Sequence, residues 1–481
     1  MKNGFFKHFL VIGLGTLISM TIGLLTTPII TRLVDPVEYG QLSIFTMYSG
    51  IFLMILCVGL DQALVRYFYV IDEKPYKSYI LKKCVFLPLV LGVVCSGVMI
   101  LLKGLGINIF GFSWVELTLF VIYMVLQILN RFSVLIIRLE YHSKKYSLLN
   151  ILNKILYVLI AIVLLKVVKI NGSLSLIIAT VAAYFIITML SIIFEKNIWC
   201  TNVSNSYKET TRFSELIKYG FPYIFSLGIS TLFQYLDKIT LNYYCGYGEV
   251  GIYSSASTLV AIFALIQSTF NTMWAPISVE HFEKYPEDKS FFQKGNQWIT
   301  VIMFMIGILL LAGKDVFVLL LGEKYREASK IIPFLMFNPI MYTISETTVN
   351  GIVFMKKSKM QILVASGACI TNLIGNILLV PSLGGKGAAI STGISYIVFF
   401  SLRTFISNQY YYIDFKLKRF YLLTLLMVGY AFYNTFFDGF VLTIIIAVFE
   451  IIAVFVLYRE ACISLIKYGI LVIKKEMKKN S

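Results

Sequence analysis

Charged and amide side chains stand at several points inside segments otherwise apolar enough for hydrocarbon. In STLFQYLDKITL, residues 230–241, Asp237 and Lys238 are adjacent. Gln127, Asn130 and Arg131 share one apolar segment, and Asn150, Asn153 and Lys154, with Tyr157 a turn beyond, share the next. Spacings of three and four residues gather each of these sets on one helical face. Asp61 and Arg66 lie in GLDQALVRYFY, and Glu346 lies in SETTVNG beside Ser345, Thr347 and Thr348. Arginine and lysine bind phosphate oxygens through charge-assisted hydrogen bonds, so Arg66, Arg131 and Lys154 suit a diphosphate. Gln127, Asn150 and the tyrosines suit sugar hydroxyls.

Each position also has a plainer reading. Arg66, Arg131 and Lys154 could cap helix ends or contact lipid phosphates. Asp237 and Lys238 could sit near the outer end of their helix and snorkel to the interface. Arg32, at the expected outer mouth, is equally explained by a local pair with Asp35 or Glu38. Glu346 is either protonated and hydrogen-bonded or a site for a coupling proton or sodium ion. Glu450 reads as a neutral structural acid. His8, His142 and His281 form no relay or metal spacing.

The elements that must position these residues are membrane helices. Of 481 residues, 58% are hydrophobic and 14% charged, and the mean hydropathy is +0.82. An average soluble domain carries roughly 25% charged residues. Apolar windows long enough to cross hydrocarbon recur along the chain. They fall at 8–31, 41–63, 84–102, 112–137, 148–166, 173–194, 216–241, 251–276, 298–320, 331–355, 360–380, 387–406, 420–436 and 441–458. The reading is an all-α polytopic bundle of about 14 transmembrane helices. The loops between windows, the longest near 195–214 and 279–297, leave no room for a soluble domain. The first apolar run is too long for a secretory signal and is followed by many more spans.

With a cytoplasmic N-terminus, about 30 Lys and Arg fall inside and about 9 outside, so both termini are expected in the cytoplasm of a multi-pass cytoplasmic-membrane protein. The inner set includes Lys74, Lys77, Lys82 and Lys83, and the terminal IKKEMKKNS. The net charge of +17 is spread over alternate loops. Topology and anionic lipid headgroups account for it, so no nucleic-acid partner is expected.

A weak internal repeat appears at an offset of 211 residues. Glu38 and Gly40 of DPVEYGQLSIF fall against Glu249 and Gly251 of GYGEVGIYSSA. Gly15, Ser19, Gly23 and Thr26 fall against Ser226, Ser230, Gln234 and Asp237. A parallel repeat implies two six-helix lobes related by a pseudo-twofold axis along the membrane normal. The expected parts are 1–200 for the first lobe, 201–410 for the second, and 411–481 for two extra helices and a basic tail. A charge at the bilayer centre costs on the order of 3 kcal/mol or more. The stripe carrying Gln234 and Asp237, with Lys238 on its flank, should therefore face a water-filled cavity.

Catalytic signatures are missing. There is no GxxxxGK[ST] loop, no HExxH and no GxSxG elbow. The seven cysteines are scattered without a CxxC pair, so no disulfide framework or metal site is expected. GLGTLISMTIG starts like a dinucleotide fingerprint but lies in a membrane helix, where its glycines permit close packing. No cofactor is expected, and the chain reads as a non-enzyme.

TTPIITRLVDPVEYGQLSIF, GLDQALVRYFY, YGFPYIFSLGISTLFQYLDKITL, GEVGIYSSAST, LLLGEKYREA and GGKGAAISTGISY resemble, in order and spacing, polysaccharide transporters of the multidrug/oligosaccharidyl-lipid/polysaccharide exporter superfamily. Within it the chain resembles the Wzx-type flippases of O-antigen, capsule or exopolysaccharide repeat units. The resemblance implies two six-helix bundles with added C-terminal helices and transport of undecaprenyl-diphosphate-linked oligosaccharide across the cytoplasmic membrane. A glycan polymerase and glycosyltransferases are the further implied partners, beside membrane lipids. Its cationic cavity falls on Arg131, Lys154 and Lys238, with Asp61 and Asp237 as polar partners. Suspected coupling to a proton or sodium gradient falls on Asp61, Asp237 and Glu346. A lipid II or other peptidoglycan-precursor flippase shares this chemistry and is the alternative; an ion-coupled multidrug exporter would favour acids over cations in its cavity.

Overall fold

The computed structural model describes residues 2–107, 110–201 and 211–467. The terminal IKKEMKKNS and its lysines lie outside the described residues. Helices account for nearly all of what is described, with no strand among those residues.

The chain divides into two compact units: Met1–Asn242 with Gly246–Gly251, and Tyr243–Cys245 with Ile252–Ser481. The first unit holds α1 (Lys2–Thr31), α2 (Pro36–Cys57), α3 (Leu60–Tyr67), α4 (Lys74–Gly104), α5 (Trp114–Leu139), α6 (Ser143–Val163), α7 (Gly172–Phe194), the short α8 (Lys196–Trp199) and nearly all of α9 (Phe213–Tyr244). Within it α1 packs on α6, α5 and α6 on α7, and α2 on α4, α5 and α7. The core is apolar and aromatic. Phe45 of α2, for example, meets Phe120 of α5 edge to face with ring centroids 5.4 Å apart.

Local chemistry sets the boundaries. Pro36 opens α2, and Glu38 Oε2 accepts the N–H of Asp35 at 3.0 Å. Glu38 Oε1 also accepts the N–H of Gly172 at 3.1 Å, which ties the start of α2 to that of α7. Ser113 and Glu116 make the same reciprocal box at the start of α5. Between α2 and α3, Val58 and Gly59 adopt positive φ of 50° and 69° and break what the sequence read as one span at 41–63. There the chain meets α9 backbone to backbone: a Cβ on Gly59 would strike the Gly220 carbonyl. From this point α9 runs along α2, with Gly228 near Met54, Tyr235 near Gly50 and Lys238 against Ser43.

The helix α10 (Tyr247–Val260) begins in the first unit and continues into the second. The second unit goes on with α11 (Phe263–Lys284), α12 (Lys289–Val318), α13 (Ile332–Leu335), α14 (Phe337–Thr348), α15 (Asn350–Phe354), α16 (Lys359–Leu383), α17 (Gly385–Tyr410), α18 (Leu417–Phe436) and α19 (Phe440–Leu457). Its most extensive pairing is α16 with α17, and α14 lies against α11, α12 and α17. Buried amides and hydroxyls join these helices: Asn296 Nδ2 donates to Thr347 Oγ1 at 2.8 Å, and Gly351 N–H donates to Ser407 Oγ at 2.8 Å.

Every apolar window falls on helix, but several boundaries move. Ten helices among the described residues are long and apolar enough to cross a membrane. The windows at 251–276 and 331–355 are each divided among shorter helices. Lys74, Lys77, Lys82 and Lys83, expected in a loop, belong to the first turns of α4. The expected loop at 279–297 is mostly the end of α11 and the start of α12. Hydropathy reports only the hydrocarbon-embedded part of a helix, and these helices continue into the polar interface.

Candidate functional site

The break at Val58–Gly59 places Asp61 in the first turn of α3, where it is buried at 4% exposure. Its carboxylate accepts the Gln62 backbone N–H at 3.0 Å and the Gln62 side-chain amide at 3.1 Å. Arg131 of α5 closes on the same group, with Nη2 at 2.6 Å and Nε at 3.2 Å from Oδ2. The Arg131 side chain remains 49% exposed, so one side of the guanidinium is held while the other faces outward. Arg131 and Asp61, assigned to one cavity by the family resemblance, thus form an ion pair.

On the same helix, Gln127 is buried and reaches Ser49 Oγ only at a long 3.4 Å. Gln127 Oε1 and Asn130 Nδ2 are buried and have no hydrogen-bond partner. Buried polar atoms in folded proteins are usually satisfied, and these two are not satisfied by the described residues.

Lys154 lies on α6, which follows α5 through a tight turn at Glu140–His142. In such an antiparallel hairpin Arg131 and Lys154 stand at comparable depth, roughly 15 Å from the turn at about 1.5 Å per residue. Lys154 is exposed and carries no ion pair among the described residues, and its Cε lies across from Gly23 of α1. Asn150, one turn earlier, is half-buried, and its carbonyl accepts the Ser19 hydroxyl at 3.3 Å.

Arg66 is exposed near the end of α3 and lines an open cleft of about 550 Å³ with Gln62, Val65, Tyr69, Tyr219 and Tyr223. Asp237 is buried at 6%. Lys238 is half-buried and donates to Ser43 Oγ at 2.9 Å, so its ammonium is engaged by α2. Gln234 and Ser230 are exposed. Arg32 is exposed and is in no ion pair among the described residues, while Glu38 serves the starts of α2 and α7.

The second unit holds a centre that sequence reasoning missed. Arg403 of α17, buried at 5%, donates through Nη1 to Glu346 Oε1 and to Ser345 Oγ, each at 2.7 Å. Its guanidinium lies over the rings of Tyr342 and Phe399 at 5.6 and 5.5 Å. Glu346 is therefore ion-paired. The signal for Arg403 was its position inside an apolar window, where a cation requires a partner. Glu450 of α19 is buried at 1%, with Oε2 unpartnered.

Near the start of α4, Lys77 bridges Asp72 and Glu140 at 2.7 and 2.9 Å. His142 Nδ1 and Lys145 Nζ meet Glu195 Oε1 at 2.6 and 3.1 Å. These contacts fasten helix ends. Among the described residues no group of three or more His, Cys, Asp or Glu could hold a metal ion.

The long apolar helices and the charged groups among them define a multi-pass α-helical membrane protein. The chain belongs to the polysaccharide biosynthesis protein family, whose model matches residues 5–282. The fold is that of the lipid II flippase MurJ in its inward closed conformation, with a TM-score of 0.68 at 17% identity over 94% of this chain and 99% of that one. A multidrug resistance MATE family transporter of the MOP superfamily, in an inward-facing conformation, is similar with a TM-score of 0.55 at 15% identity over 81% and 94% of the two chains. An uncharacterized membrane protein of Methanocaldococcus jannaschii is 27% identical over 198 residues, 40% of this chain and 39% of that protein. The match thus spans about two-fifths of the archaeal relative's length.

Proposed function

We propose that this protein is a flippase for undecaprenyl-diphosphate-linked oligosaccharide repeat units, of the Wzx type, serving O-antigen, capsule or exopolysaccharide synthesis at the cytoplasmic membrane. The observation that carries the reading is the pair of cations on the α5–α6 hairpin: Lys154 is exposed with no ion pair among the described residues, and Arg131 is half-exposed beyond its bond to Asp61. Cations kept inside apolar helices are costly, and a diphosphate supplies the charge that offsets them. Gln127 and Asn130 place amide groups on the same helix as Arg131, and their buried atoms Oε1 and Nδ2 are without a partner among the described residues. Family membership and the MurJ-like fold support the same reading.

In this scheme the headgroup enters from the cytoplasm past Arg66 to Arg131 and Lys154, while the polyprenyl chain stays in lipid. Rocking of one lobe against the other then exposes the headgroup outside, toward Lys238 and Arg32. Asp61, Asp237 and Glu346 are the acids proposed to couple this motion to a proton or sodium gradient. Both termini lie in the cytoplasm, and no covalent step is required.

A lipid II or related peptidoglycan-precursor flippase is the second reading, favoured by the fold likeness to MurJ. Mass spectrometry of the polyprenyl-lipid fraction of a deletion strain separates the two. A complete oligosaccharide accumulating on undecaprenyl diphosphate supports the first and lipid II the second; an unchanged lipid profile removes both.

A further inference from the structure

The open cleft between α3 and α9 has a composition that a headgroup entrance alone does not require. At its edge Gly59 and Gly220 meet backbone to backbone. Tyr219 and Tyr223, one turn apart on α9, stand with ring centroids 5.7 Å apart and their hydroxyls 3.5 Å apart. Tyr67 braces Tyr219 edge to face at 5.9 Å. On the opposite wall, the Tyr69 hydroxyl donates to the Leu139 carbonyl and is anchored to the end of α5. Arg66 has no ion-pair partner among the described residues. The Gln62 side-chain N–H donates to Asp61, and among the described residues no hydrogen bond engages its amide oxygen.

We propose that this cleft is a saccharide subsite that holds the one or two sugars next to the diphosphate while Arg66 binds a phosphate oxygen. The proposal rests on the flippase reading above and deepens it. Tyrosine offers a rigid amphipathic surface: its ring face covers the apolar C–H face of a pyranose, and its hydroxyl meets the ring's polar edge. The Gln62 carbonyl accepts from a sugar hydroxyl. A volume of about 550 Å³ is within the roughly 300–1,000 Å³ of small-molecule sites and leaves room for a short saccharide rather than a whole repeat unit. An acyl chain would leave the arginine and the amide oxygen without partners, which disfavours lipid as the occupant.

The test is binding to the full-length protein in nanodiscs by native mass spectrometry. The probes are undecaprenyl diphosphate, bare or carrying one hexose or one N-acetylhexosamine, with phosphatidylglycerol as the lipid control. The wild type is expected to prefer a glycosylated probe about tenfold over the bare diphosphate. Y219L/Y223L should abolish that preference and leave bare-diphosphate affinity unchanged, Y219F/Y223F should retain it, and R66A should weaken all diphosphate probes. A preference that survives Y219L/Y223L overturns the saccharide subsite and leaves the flippase reading standing. Wild type that binds polyprenyl diphosphates no better than phosphatidylglycerol overturns both.

Discussion

Arg131 and Asp61 meet through two N–H groups converging on a single oxygen of a carboxylate whose side chain is 5% exposed, although the arginine itself is 49% exposed. The asymmetry separates stability from function. Removing the arginine strands a buried carboxylate, a loss of about 3 kcal/mol or more, whereas removing both charges restores much of it. Thermal unfolding in detergent should therefore rank R131A below D61N/R131Q, with both inactive in transport. Equal melting of the two variants would mean that Asp61 is not held by Arg131.

The buried pair of Arg403 and Glu346 invites a different comparison. R403A leaves Glu346 uncompensated and should cost about 3–5 kcal/mol, visible as loss of protein from the membrane. E346Q keeps a hydrogen-bond acceptor for the guanidinium, which also retains Ser345 Oγ and the rings of Tyr342 and Phe399, so it should accumulate better than R403A though below wild type, and its transport is compared per molecule of protein in the membrane. Under the coupling proposal, transport by E346Q is slow and no longer responds to collapse of the proton or sodium gradient. Full gradient dependence in E346Q would remove Glu346 from that role.

Outside the membrane segments two acids confer a pH dependence of stability. Asp288, at the start of α12, is held below the usual carboxylate range by the Ser290 hydroxyl at 2.6 Å and by His281. Asp438 is lowered by Lys330, whose ammonium lies 3.0 Å away. A depressed carboxylate pKa contributes stability above the unfolded-state value, and that contribution fades as pH falls through the folded-state value. The melting temperature of wild type should therefore exceed that of D288N/D438N at pH 7, and the gap should begin to close as pH falls below about 4. A gap that does not narrow as the pH is lowered below about 4 would contradict the assignment.

Much of this architecture was legible as hydropathy. Fourteen apolar windows all fall on helices, because crossing hydrocarbon demands length and apolarity that any window average detects. The same averaging hid the break at Val58–Gly59, where two residues with positive φ turn one apparent span into two helices and aim Asp61 inward. Candidate residues were legible as individuals, since a charge in an apolar run is conspicuous. Their partners were not: Asp61 and Arg131 are 70 positions apart, and Glu346 and Arg403 are 57 apart. Such pairing is a property of helix packing, which local spacing does not encode. Lys238 shows the same limit, since its hydrogen bond to Ser43 depends on α9 lying along α2.

Lys154 offers the most direct test of the central claim, because it is exposed and carries no ion pair among the described residues, so its removal should cost little in stability. A deletion strain would be complemented with K154A or K154R, and its polyprenyl lipids quantified by mass spectrometry alongside protein abundance in the membrane. The account predicts normal abundance of K154A with a complete oligosaccharide accumulating on undecaprenyl diphosphate, and restoration of export by K154R. Wild-type lipid levels and full surface polysaccharide in K154A would contradict it.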